Sequence, residues 1–269
     1  MIWIYVTFVL IVIYLVAFIY SFFEKYWVEV KTYQITINKQ AFHNYKIVFL
    51  TDFHHSEIVS QKFIRKVVNN VNQMHPDLIV LGGDYVSNKK IFVEPIFKEL
   101  ANLETQDGIY GVIGNHDIDV SKELVLECME KANIKSLDND AYWINKDNDR
   151  IRLGGVADYL FEKPDISKIL QDVKDDDFVM VVSHNPDYIE KIKNDKIDVM
   201  LSGHTHGGQV TVFGLFAPYI PSEYHQKYRT GLKIVNKIKL IVSNGIGVVG
   251  LPIRFFARPQ IVVIELINE

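Results

Sequence analysis

The sequence is poor in cysteine. Cys128 stands alone, so no disulfide can close within the chain and no thiolate zinc site can be assembled from it. Runs of Lys or Arg are also missing. With 29 basic and 33 acidic residues the formal net charge is −4, which excludes the strongly basic field that holds nucleic acid. There is no internal repeat and no low-complexity linker. Charge is absent altogether from Ile2 to Phe23. Elsewhere the balance is that of an ordinary globular protein, and 269 residues suffice for one large domain or two small ones.

That uncharged stretch is the first positive signal. As a helix it would span about 33 Å at about 1.5 Å per residue, enough for a hydrocarbon core of about 30 Å. Trp3, Tyr5, Tyr20 and Trp27 lie near its ends, where an interfacial belt belongs. No basic segment precedes the run and no small-x-small site follows it. A retained single-pass anchor in the cell membrane, residues 1–25, is therefore expected rather than a cleaved signal peptide. Lys25, Lys31 and Lys39 follow the helix and lean the catalytic side toward the cytoplasm, although Glu24 and the short count leave the side open.

Residues 26–44 read as a connector carrying a first strand, from the alternation Tyr33-x-Ile35-x-Ile37. Residues 45–269 then repeat one pattern as a catalytic domain: a short apolar run, a polar or glycine turn, often a helix. The runs are 46–51, 78–81 and 108–113, with helices expected over 63–74, 95–103 and 121–132, the last capped by Ser121. A hairpin follows at 142–145 and 150–156, then a short helix over 166–173. Further runs lie at 178–182 and 199–201, with late strands at 240–242 and 261–267. Strand–helix alternation followed by antiparallel-looking strands predicts one α/β sandwich of mixed sheets.

The turns that close these runs share a composition. Asp52-Phe53-His54 closes the first, Asp84 in "GGD" the second, and Asn115-His116-Asp117 in "GNHD" the third. His184 in "SHNP" follows 178–182, and His204 and His206 in "SGHTHGGQ" follow 199–201. Ligands in open α/β sheets gather at the carboxyl ends of strands. Carboxylates grouped with neutral imidazoles call for a cation, and such donors suit Mn, Fe or Zn better than Ca. More than six candidate ligands exceed one tetrahedral site. Two ions about 3.5–4 Å apart, sharing a carboxylate, would use them all. Taken singly, Asp-x-His and "GGD" read as ordinary turns, "GNHD" is moderately specific, and "GHTH" with its flanking glycines is a strong signal.

In this order the motifs resemble the calcineurin-like metallophosphoesterase superfamily over roughly residues 45–267, and most of all its membrane-associated bacterial branch with "GHTHGGQ". That branch includes UDP-diacylglucosamine pyrophosphatases. The resemblance implies a four-layer α/β/β/α sandwich of two mixed sheets with a two-metal centre between them. By the same resemblance one ion would be held by Asp52, His54, Asp84 and His206, the other by Asp84, Asn115, His184 and His204, with Asp84 bridging. A phosphoester or phosphoanhydride would be hydrolysed by water that the ions acidify. His116 would lie over the phosphate to stabilise charge or protonate the leaving group, oriented by Asp117. Two residues depart from the pattern. His55 stands where relatives carry an apolar side chain and is expected to face solvent. Gln260 closes "RFFARPQ" where the family's terminal region usually has Glu.

Two late loops, 212–221 and 246–256, are unusually apolar. They read either as core or as an apolar wall beside the metals, with Phe213 and Phe216 against substrate and Arg229 and Arg254 near phosphate oxygens. The expected partner is a phosphorylated, lipid-linked or nucleotide-linked substrate at the membrane. Soluble or cell-wall phosphoesters are the alternative within enzymes, and a non-catalytic metal-binding scaffold is the alternative outside them. Scaffolds lose ligands, and here every ligand position and His116 are filled.

Overall fold

The structure, a computed structural model, describes residues 1–268. Helix α1 (Ile2–Glu24) is apolar throughout, with a mean hydropathy of 2.8, and is long enough to cross a membrane. Only Ser21 and Glu24, at its end, are buried.

Twelve strands among the described residues form two six-stranded sheets. The first contains β1 (Glu29–Thr36), β2 (Tyr45–Leu50), β3 (Leu78–Leu81), β4 (Ile109–Gly111), β5 (Ile134–Ser136) and β12 (Gln260–Ile267), in the order β1-β12-β2-β3-β4-β5. All neighbours in it are parallel except β12 and β2. The second contains β6 (Asp140–Lys146), β7 (Asp149–Gly155), β8 (Phe178–Val182), β9 (Val199–Ser202), β10 (Gly231–Val235) and β11 (Ile238–Val242), in the order β10-β11-β9-β8-β7-β6. Its four central strands are parallel and its edge strands β10 and β6 antiparallel.

The apolar runs follow from burial on both faces. In β2, Ile47 and Phe49 point into the core between the sheets, while Val48 and Leu50 point into the core under the helices. In β8, Phe178, Met180 and Val182 join the inter-sheet core, and Val179 and Val181 pack outward with Ile169 of α5 (Ser167–Leu170). Burying each such side chain contributes about 1.5–3 kcal/mol. Helix α2 (Gln61–Asn72) buries Phe63, Ile64, Val67, Val68 and Val71, one stripe at helical spacing, and Ser60 Oγ caps it by accepting the Phe63 N–H. With α3 (Val93–Leu100) and α4 (Asn115–Lys131) it covers the first sheet. Helices and 3₁₀ turns thus cover the outer face of each sheet, giving the expected four layers.

The expected elements differ from the observed ones in places. Helix α4 begins at Asn115, and Ser121 is an extended residue (φ 175°, ψ 106°) that interrupts it, so the segment expected from 121 is its second half. The short strand β5 and the exposed strand β10 carry too little alternation to be read from sequence. The connector is an integral sheet edge, with β1 parallel to β12 from Glu29↔Gln260 to Thr36↔Ile267.

Candidate metal centre

Central strands from both sheets end at one place. The turns after β2, β3 and β4 bring Asp52, His54, Asp84 and Asn115 from one sheet, and those after β8 and β9 bring His184, His204 and His206 from the other. All seven are buried. The ligand atoms of Asp52, His54 and His206 lie within 4.8 Å of one another, as do those of Asp84, His184 and His204. Asp84 Oδ2 is 3.4 Å from His54 Nε2 and 3.2 Å from His184 Nε2, so one oxygen faces both groups. Its other oxygen accepts the His116 N–H at 2.9 Å.

Making turns this tight strains the backbone. Asp52, His54, Asp84, His204 and His206 all have φ between 48° and 67°, in the left-handed region that non-glycine residues avoid. Each such residue costs about 1 kcal/mol or more, and strain of this kind collects at functional sites. Gly203 is required by close approach: a Cβ there would collide with the Asp52 carboxylate and Thr51 Oγ1. Asp52 is fixed by Thr51 Oγ1 at 2.8 Å and by the His204 N–H at 3.0 Å.

The donor set fits cations. His184 Nδ1 lies 2.7 Å from the Gly82 carbonyl, which aims Nε2 inward. That Nε2 has only the Asp84 carboxylate beside it, at 3.2 Å, and Asn115 Oδ1 is buried without a hydrogen-bond partner. His54 Nε2 and His206 Nε2 approach to 3.0 Å, a spacing at which two ring nitrogens need a proton or a metal between them. Burial drives the imidazoles of His54 and His204 down to about 3, so both stay neutral and ready to ligate. Burial opposes charge on Asp84 and His184, but their mutual attraction prevails. Asp84 is held below the ordinary carboxylate range, and His184 is raised to about 10. Burial pushes Asp52 up to about 6 against the pull of His184.

A cavity of about 610 Å³ opens over the centre, lined by Asp84, Asn115, His116, His204 and His206 on its floor. His116 is half-buried there, with its ring turned by the Ser87 carbonyl, 2.7 Å from Nδ1. Asp117 does not orient that ring. Its carboxylate accepts the N–H groups of Tyr85, Val86 and Gly114 and so ties the third turn to the second.

The expected substrate residues lie elsewhere. Arg254 is fully buried, and its guanidinium donates to the carbonyls of Asn244, His206, Gly247 and Ala257, so it cannot reach a phosphate. It acts instead as the post behind His206. Arg229 is spent on the Gly207 and Gly214 carbonyls. Phe213 and Phe216 are exposed and do not line the cavity, because the 212–216 turn folds back on Phe256. His55 is buried, not solvent-facing, with Nδ1 3.0 Å from the Phe92 carbonyl. Gln260 uses both ends of its amide, accepting from the Asn244 N–H and donating to Glu29, which a carboxylate could not do.

Sequence reasoning missed Asn185, Leu160, Asp187, Ser222 and Glu223 around the cavity, whereas Tyr219, Pro221 and Val249 come from the two apolar loops it singled out. Asn185 lies within the "SHNP" motif and was within reach. Asp187 holds the opposite loop by accepting from Ser222 Oγ and the Glu223 N–H, a contact across 35 residues with no local signature.

With this geometry in hand, the sequence profile of the calcineurin-like phosphoesterases matches residues 45–208, more than half the chain. The chain belongs to that family. A relative in Escherichia coli, the phosphodiesterase YaeI, is 31% identical over 251 residues, covering 91% of this chain and 90% of its own length. An uncharacterised metallophosphoesterase of Helicobacter pylori is 31% identical over 230 residues, or 83% of this chain; the match spans only 60% of that relative's length. Among solved structures the NAD nucleotidase of Haemophilus influenzae aligns with a TM-score of 0.53 at 13% identity, over 76% of this chain and 51% of that one, a likeness of fold.

Proposed function

We propose that the chain is a membrane-anchored phosphohydrolase that uses two divalent ions (Mn, Fe or Zn) to cleave a phosphoester or pyrophosphate of a lipid-linked substrate. The observation that carries the hydrolase reading is Asp84, whose one oxygen faces His54 in the first group of ligands and His184 in the second. Asp52, His54 and His206 would hold one ion with Asp84, and Asn115, His184 and His204 the other. When bound, such a pair supplies Lewis acidity that acidifies water and neutralises charge at phosphorus. His116 has Nδ1 engaged by a carbonyl, which leaves Nε2 to carry a proton to the leaving oxygen. Arg254 and Gly203 keep the His204-x-His206 turn against Asp52.

Two features support a lipid-linked substrate. The wall above the floor is largely apolar, with Leu160, Tyr219, Pro221 and Val249. Helix α1 would hold that wall at a bilayer. A soluble phosphodiester would use the floor alone.

The test measures bound metal and turnover together, on the detergent-solubilised full chain. Loaded protein is expected to hydrolyse both bis(p-nitrophenyl) phosphate and a lipid pyrophosphate, with Asp84→Asn losing metal and both activities. Tyr219→Ala is expected to lower turnover of the lipid by on the order of tenfold and to spare the soluble ester. Full metal with no hydrolysis would overturn the enzyme reading; equal effects of Tyr219→Ala on both substrates would overturn the lipid one.

A further inference from the structure

The exposed aromatic turn that fails to line the cavity has a position that calls for a partner. Phe213, Leu215, Phe216 and Tyr219 are 73%, 83%, 53% and 76% exposed, a concentration of large apolar side chains that soluble surfaces rarely show. The turn is preformed. Val212 and Phe216 are bridged, Thr211 Oγ1 bonds to the Phe255 and Phe256 carbonyls, and Arg229 pins the Gly214 carbonyl. Holding an apolar tip rigidly in water gains nothing for the fold.

This tip is continuous with the end of α1. The Phe213 ring packs on Phe256 at 5.7 Å, and Phe256 packs on Tyr20 of the helix at 6.1 Å. The Arg254 N–H donates to the Ser21 carbonyl, and Glu24 accepts the N–H groups of Phe256 and Ala257. The helix end therefore cannot swing freely relative to the tip. Around that end, Arg258 lies 3.6 Å over the Trp27 ring and Lys25 4.9 Å over the Tyr26 ring, the pairing of aromatics and cations that suits a headgroup layer. At its other limit the tip reaches Tyr219, on the lip of the metal cavity.

We propose that the 212–219 turn enters the headgroup–acyl boundary of the same bilayer that α1 spans, as a second membrane contact that sets the cavity mouth against the lipid surface. The proposal rests on the reading of α1 as a membrane anchor. Its occupant is the lipid surface, because the tip adjoins the helix end that would emerge there and is flanked by its aromatic and cationic belt.

The experiment reconstitutes the full chain, in a Cys128→Ala background, into vesicles of phosphatidylcholine and phosphatidylglycerol. One cysteine carries an environment-sensitive NBD label at Leu215→Cys, at Leu10→Cys within α1, or at Ile234→Cys. Ile234 pairs with Lys239 at the end of β10 farthest from the metal centre. Lipids bearing a doxyl quencher high on the acyl chain are expected to quench Leu215→Cys and Leu10→Cys and to leave Ile234→Cys bright. Phe216→Cys gives the same readout should Leu215→Cys fail to accumulate. A quenched α1 label with an unquenched turn label overturns the second contact and keeps the anchor. An unquenched α1 label overturns both. A blue-shifted but unquenched turn label means burial against protein, a second copy included, and also overturns the proposal.

Discussion

At the scale of single residues, the centre is governed by which atoms are left without partners and which protons must move. His184 keeps a proton up to about 10 because Asp84 and Asp52 attract it, although burial opposes the charge. An ion can take its Nε2 only after that proton leaves. The sign follows: metal affinity falls as pH falls, by about tenfold per unit while one proton is displaced. Below about 6 a second proton, on Asp52, steepens the loss. His54 and His204, lowered to about 3, add nothing in this range. Competition titrations with Mn or Zn from about pH 6.5 to 9 check the slope, and a flat profile would contradict it. His116 differs from the buried ligands in being only half-buried and open to the cavity, with Nδ1 held by the Ser87 carbonyl, although its ring nitrogen also lies within 4.8 Å of the His54 and Asp84 ligand atoms. His116→Ala is expected to lower kcat by roughly 10²–10⁴ while metal content stays at its normal level. Loss of metal in that variant would make it a ligand instead.

At the scale of elements, the end of α1 and the loop before β12 form one unit. A carboxylate in the last helical turn is unfavourable toward the helix dipole, so Glu24 needs another reason to be there. That reason is its pair of acceptor bonds at 2.7 and 2.8 Å to the Ala257 and Phe256 N–H groups, in a setting where the carboxylate is fully buried. Glu24→Ala leaves both donors unpaired and is expected to cost about 2 kcal/mol, with Glu24→Gln costing less because one acceptor survives. Unfolding of the detergent-solubilised chain reads both values; equal stability of Glu24→Ala and the native chain would sink the argument. The same loop carries Arg254, whose guanidinium is lowered by burial to about 10 and so stays charged at neutral pH. Five carbonyls from three loop segments depend on it, those of His206, Asn244, Gly245, Gly247 and Ala257, which makes the helix end, the loop and His206 mechanically one.

At the scale of the whole molecule, the centre joins the two sheets. Asp52, His54, Asp84 and Asn115 arrive from one sheet and His184, His204 and His206 from the other, so bound ions would tie the layers across the sandwich. Binding to the folded state alone stabilises it by mass action, about 2.7 kcal/mol at a hundredfold excess over Kd. For a chain of this size, stripping the metals with a chelator is expected to lower Tm by roughly 5–10 °C, and restoring Mn or Zn to recover it. A Tm unmoved by chelation of protein shown to hold metal would separate the site from the fold.

Much of this was legible without coordinates because the physics involved is local or compositional. Strands buried on both faces must be apolar throughout, so 46–51, 78–81, 178–182 and 199–201 announced themselves, and Asp, Asn and His are among the side chains able to ligate a cation, so the turns after them stood out as candidates. The amino-acid order alone therefore determined the membrane-length helix, the strand-and-turn rhythm and the residue types of the metal centre. Only the tertiary structure decided where long side chains went. It buried Arg254 and His55, gave His116 to the Ser87 carbonyl rather than to Asp117, set Asp187 against Ser222, and turned Phe213 and Phe216 outward, Phe213 onto Phe256 beside the helix end. Those choices depend on which distant carbonyls and N–H groups need partners after packing, and that is a property of contacts far apart in sequence, which no local pattern encodes.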